Sequence, residues 1–133
     1  MTYSGSPRYN NVHLGLLHML YVTAEEIPDQ INQMPCDGMI DVKLVYSRDG
    51  LCWEHASPDR MPVIPRGDAG DFDRGMIIGK SREPIIEGDD IHWYYTGSET
   101  THGVEMDKWV TRIGRATWKR DRLSPCVAAT EAP

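Results

Sequence analysis

A chain of 133 residues, 40% of them hydrophobic and 26% charged, has the balance of one ordinary globular domain, not that of a disordered segment. Its 14 Lys and Arg stand against 20 Asp and Glu, a net charge of −6, so it lacks the basic footprint that nucleic acid or an anionic membrane surface attracts, and nucleic acid is not expected as a partner. No apolar run approaches the roughly 20 residues needed to cross a bilayer, because His13 and His18 interrupt residues 12–22, and no membrane partner is expected.

From the beginning of the chain, Met1-Thr2-Tyr3-Ser4-Gly5-Ser6-Pro7-Arg8 lacks the basic-then-apolar order of a secretory signal. As written the chain reads as cytoplasmic, while a secreted or periplasmic longer parent stays compatible with it. Residues 14–22 form an apolar run that fits a buried strand, although its length also permits a helical turn or two. Thr23-Ala24-Glu25-Glu26 could cap a short helix, but Pro28 and Pro35 bracket anything beginning there, so a loop is expected.

Ile40, Val42, Leu44 and Tyr46 alternate with Asp41, Lys43, Val45 and Ser47, the period of a half-buried strand. Ser47-Arg48-Asp49-Gly50 then turns the chain, and residues 51–55 return as a short strand. Residues 61–72 hold Pro62, Pro65, Gly67 and Gly70 and read as a long connection. A second hairpin follows, with an incoming arm from Gly75 to Ser81 or Ile86, a turn at Gly88-Asp89-Asp90, and an outgoing arm at residues 91–96. Alternation there puts Trp93 and Tyr95 on one face and Tyr94 on the other. A last alternating strand spans residues 111–118.

Cys36, Cys52 and Cys126 are odd in number and widely spaced, which indicates neither a zinc site nor a disulfide framework. His13 and His18 have no metal-like partners at helical spacing and read as structural histidines. Nothing in the motifs requires a cofactor. Tyr46-Ser47-Arg48-Asp49-Gly50-Leu51 is echoed by Trp118-Lys119-Arg120-Asp121-Arg122-Leu123, each closing a unit of strand, polar loop and alternating strand. Self-similarity built from strands suggests a radially repeated sheet or a solenoid, since one such unit cannot bury its faces alone.

Several segments taken in order carry a resemblance: residues 41–50 with Trp53, Phe72-Asp73-Arg74-Gly75-Met76-Ile77, residues 88–97, and Ile113-Gly114-Arg115-Ala116-Thr117 with Arg120-Asp121-Arg122. Together they resemble bacterial proteins grouped with the five-bladed β-propeller glycoside hydrolases, the superfamily of arabinanases, levansucrases and invertases. The resemblance covers roughly residues 8–125. It implies an all-β fold of antiparallel four-stranded sheets around an axis, with a carbohydrate pocket at one end of that axis. Five blades of about 40–45 residues need roughly 200 residues. The expectation is therefore a partial propeller of about two blades over residues 1–125, a short tail at 126–133, and open edges that invite self-association.

Glycosidic cleavage needs two carboxyl groups, one protonated and one ionised, flanking one bond. Asp73, just before a strand, is the best-placed acid, with a turn or cap role as the alternative. Glu83, in Ser81-Arg82-Glu83-Pro84, is the second catalytic candidate, and a solvated hairpin Glu is its plain reading. The substrate-binding candidates are Arg8 as a clamp, His102 in the loop after the aromatic strand, and Trp93 as a stacking platform, against core packing for Trp93 and a surface role for His102. Asp49 and Asp121, with Trp53 beneath the first turn, read as hairpin-holding residues. Two functions follow: hydrolysis of glycosidic bonds in a full-length parent, or non-catalytic binding of a glycan or a protein.

Overall fold

A computed structural model of the chain describes residues 11–22, 37–120 and 122, together with the backbone of residues 8–9. The fold is all-β. Its strands are β1 (Arg8–Tyr9), β2 (Val12–Val22), β3 (Gly38–Ser47), β4 (Glu54–His55), β5 (Met76–Lys80), β6 (Ile85–Glu87), β7 (Asp90–Ser98) and β8 (Thr111–Lys119), with one 3-10 turn at Met106–Lys108. No helix among the described residues is long and apolar enough to cross a membrane. The loop expected at residues 23–35, the echoed Asp121 and Leu123, Cys36, Cys126 and the tail at 126–133 lie outside the described residues.

Among the described residues, the strands join in one open eight-stranded sheet. β1, β2 and β3 follow one another antiparallel, and β2 and β3 stay in register from His13 opposite Ser47 to Val22 opposite Gly38. Three separate segments fill the other edge of β3. β4 pairs at Val45 and Tyr46, Ile64 bridges to Val42, and β5 pairs at Ile40 with Met76. That last pairing is parallel, so the sheet is mixed and not purely antiparallel. β5 and β6 then share one edge of β7, and β8 takes the whole of the other.

The core draws on both halves of this sheet. Leu16, Val42 and Leu44 pack with Ile77, Ile91, Trp93, Tyr95, Ala116 and Trp118, and Phe72 closes against them. Trp93 and Tyr95 are buried while Tyr94 between them is 39% exposed, as strand alternation dictates. Gly114 stands opposite Tyr95 because a Cβ there would run into the Tyr95 ring.

Two further expectations are corrected. β3 is buried on both faces: Asp41 and Val45 are as inaccessible as Leu44. Trp53 folds back against the Gly15 and Val45 side of the hairpin, and the Tyr21 hydroxyl donates to Asp41 Oδ1 at 3.2 Å, so the face expected to meet solvent is covered. Burial pushes the Asp41 carboxyl above its ordinary range against the opposing pull of that hydrogen bond. The long connection at residues 61–72 is also more than a link. Val63 and Ile64 are buried in the core, and the Val63 and Ile64 amides donate to the Val42 carbonyl at 2.8 and 3.2 Å.

Candidate functional site

The parallel contact of Ile40 with Met76 and the pairing of Met76 with Ser98 bring the start of β3, the start of β5 and the end of β7 to one end of the sheet. The loops entering and leaving these strands line an open cleft of about 800 Å³. Residues 66–69 form one wall, Glu99, Thr100 and Thr101 the other, and Arg74, Gly75 and Met39 lie between them.

Backbone bonds fix both walls. The Gly75 amide donates to the Ser98 carbonyl at 3.1 Å, and the Asp68 amide donates to Asp71 Oδ2 at 2.8 Å, closing a turn. The Arg66 guanidinium donates through Nη1 to the Arg74 carbonyl at 2.7 Å, while its buried Nε has no partner among the described residues. Across the cleft Arg74 Nε faces Glu99 Oε1 at 3.6 Å, with both side chains about half exposed, at 48% and 56%. Arg66 and Arg74 are thus matched in charge by Asp68 and Glu99. Met39, Ala69, Val104 and the two threonines line the rest of the cleft, and Thr100 Oγ1 lies 3.0 Å from the buried Ser98 Oγ.

Asp73 lies directly behind this cleft. It is 2% exposed, and the Tyr95 hydroxyl donates to its Oδ2 at 2.6 Å. Gly67 and Gly97 approach so closely that a Cβ on either would collide with the Asp73 side chain. Burial, and then the bond to Asp73, push the Tyr95 hydroxyl well above the ordinary tyrosine range, so it stays a donor.

Asp37, just before β3, secures the opposite wall. Its Oδ1 accepts the Gly38 and Gly103 amides, each at 2.6 Å, and its Oδ2 accepts the Thr101 hydroxyl at 3.2 Å. The His102 amide adds a bond to the Gly38 carbonyl at 3.1 Å. The loop carrying Thr100 and Thr101 is therefore tied to the start of β3.

The residues expected to act together are spread apart. Glu83 is exposed in the link between β5 and β6, past the far end of β5 from Asp73, and β5 alone spans roughly 13 Å at about 3.3 Å per residue. Neither carboxylate lines the cleft. Trp93 is 3% exposed, donates through Nε1 to the Ser81 carbonyl at 2.8 Å, and meets Trp118 edge to face at 6.5 Å. Arg8 has its backbone in β1, which pairs with the beginning of β2, away from the end of β2 that meets Gly38, and its side chain lies outside the described residues. His102 alone among the binding candidates sits beside the cleft, half-buried against Trp109, with Nδ1 buried and unpartnered among the described residues.

Sequence reasoning passed over Asp37, Arg66, Arg74, Glu99 and Thr101. A signal was present for two of them: Asp37-Gly38 opens an alternating strand, and Arg74 sits in the segment Phe72-Asp73-Arg74-Gly75. Set against known proteins, the chain matches no family model and no curated sequence.

Proposed function

We propose that the chain recognises a neutral carbohydrate in this cleft, as about two blades of a propeller like those of the five-bladed glycoside hydrolases. The observation that carries the reading is the lining. Two arginines and two carboxylates in charge balance, with threonine hydroxyls between them, offer donors and acceptors to a ligand rich in hydroxyls and give no net attraction to a phosphate. Two successive antiparallel strand groups support the propeller reading, and a single parallel contact, Ile40 with Met76, joins them into one sheet.

Hydrolysis belongs to a full-length parent in this reading, with Asp73, buried behind the cleft, as its candidate carboxylate. A non-catalytic glycan-binding module is the second reading, and a specific observation favours it. The Asp73 carboxylate is held by Tyr95, and Glu83 stands beyond the other end of β5.

A panel of neutral and acidic oligosaccharides, assayed for binding to this chain and to Arg74→Ala and Glu99→Ala, tests the proposal. Binding of a neutral glycan that weakens by about tenfold or more in both variants is expected, since each removes charge-assisted hydrogen bonds. Binding confined to anionic glycans, or unaffected by both substitutions, overturns it. Turnover by the parent that survives Asp73→Asn removes the catalytic reading alone.

A further inference from the structure

β6 and β8 flank β7 on opposite sides, and no other described strand pairs with the remaining edge of either. Unpaired strand edges present N–H and C=O groups that template pairing with another chain. These two edges carry opposite charge. Residues 83–90 hold Glu83, Glu87, Asp89 and Asp90 and no Lys or Arg, whereas residues 110–120 hold Arg112, Arg115, Lys119 and Arg120 and no Asp or Glu. Part of this complementarity is used within the chain, where Lys119 Nζ meets Asp90 Oδ1 at 2.7 Å. Arg112 and Arg115 stand on one edge and Glu83 and Glu87 on the other, where Glu87, its side chain 84% exposed, also faces His92 Nε2 at 3.9 Å.

Apolar surface accompanies the charge. Ile85 on β6 is 55% exposed and Ile113 on β8 is 76% exposed. Ile85 pairs with His92 and Ile113 with Thr96, so both project from the same face of β7. Both strands run antiparallel to β7 and hence parallel to each other. A second copy shifted along the sheet therefore sets its β6 parallel to β8, with Ile85 beside Ile113 and Glu87 beside Arg115. A symmetric antiparallel contact of β8 with itself, centred on Arg115, would instead oppose two arginines, which is unfavourable.

We propose that the basic β8 edge of one copy binds the acidic β6 edge of a second copy. The contact is heterologous, so it propagates into open chains or closes into a ring and does not stop at a two-fold dimer. It is independent of what the cleft binds.

Sedimentation velocity over a concentration series of the full chain tests this. Wild-type protein is expected to form species larger than a dimer, and raised salt to reduce them, as exposed ion pairs are screened. Arg112→Glu/Arg115→Glu and Glu83→Lys/Glu87→Lys, both altering exposed side chains, are each expected to weaken association by about tenfold or more. An equimolar mixture of the two variants restores unlike edges and should recover association. A monomeric wild type, a dimer that grows no further, or a mixture no more associated than its components overturns the proposal. Circular dichroism of each variant separates a lost contact from a lost fold.

Discussion

The Tyr95 hydroxyl donates to Asp73 Oδ2 at 2.6 Å, joining the aromatic strand β7 to the residue that precedes β5. Both groups are buried, so each satisfies the other where water cannot. The bond also sets the Asp73 backbone that leads into Arg74 and Gly75 on the cleft floor.

Tyr95→Phe leaves the buried Asp73 carboxylate without that donor and is expected to destabilise the chain by about 1–3 kcal/mol in urea unfolding at neutral pH. The pH dependence follows from the raised Tyr95 pKa. The neutral hydroxyl is favoured in the folded state, so its contribution is complete below the unfolded tyrosine value of about 10 and declines as pH rises beyond it. The difference between wild type and variant should therefore shrink above about pH 10. A constant difference would show that Tyr95 does not titrate as described.

Gly114→Ala places a methyl against the Tyr95 ring. Overpacking of this kind costs about 1–3 kcal/mol, and the same ring displacement should loosen the Asp73 bond. Thermal unfolding of the variant, alone and combined with Tyr95→Phe, measures the coupling. Fully additive losses would contradict a shared mechanism.

Asp49 accepts the Leu51 and Cys52 amides, each at 2.8 Å, and the Ser47 hydroxyl at 3.0 Å. Those bonds, led by the Cys52 amide, hold its carboxyl below the usual carboxylate range. Its stabilising contribution is therefore present above the unfolded aspartate value of about 3.9 and is lost as pH falls through the lower folded value. Asp49→Ala should lower the melting temperature near neutrality, Asp49→Asn less so because an amide oxygen still accepts, and the deficit should narrow in strong acid. Equal losses for the two substitutions would assign the effect to charge, not to acceptance.

Asp37→Ala frees the Gly38 and Gly103 amides and the Thr101 hydroxyl together. A loss of about 1–3 kcal/mol is expected. Amide hydrogen exchange should rise first at residues 101–104, ahead of the β7 and β8 amides. Uniform acceleration across the sheet would show that Asp37 supports the whole fold and not this loop.

Much of the strand order was legible because it is local. The Asp49 turn and the burial of Trp93 and Tyr95 around an exposed Tyr94 follow from residue type and period. The second buried face of β3 was not legible, because its cover comes from Trp53 and Tyr21, which reach it only through pairings outside its own period. Val63 and Ile64 sit between prolines and glycines that mark a loop, yet a bridge to Val42 draws them into the core. Even the echoed aromatics differ in the fold: Tyr46 is half-buried and donates to Glu54, whereas Trp118 is core. The cleft itself was harder to read: Arg74 meets Glu99 through the pairing of Met76 with Ser98, but Met39 joins them only through the parallel contact of β3 with β5.

Titration of the isotopically labelled chain with the tightest neutral oligosaccharide, followed by amide chemical shifts, probes the central claim most directly. Saturable changes concentrated at Gly67, Asp68, Gly75, Thr100 and Thr101 are the expected result. Changes centred on residues 85–94 instead, or none with any glycan tested, would contradict it.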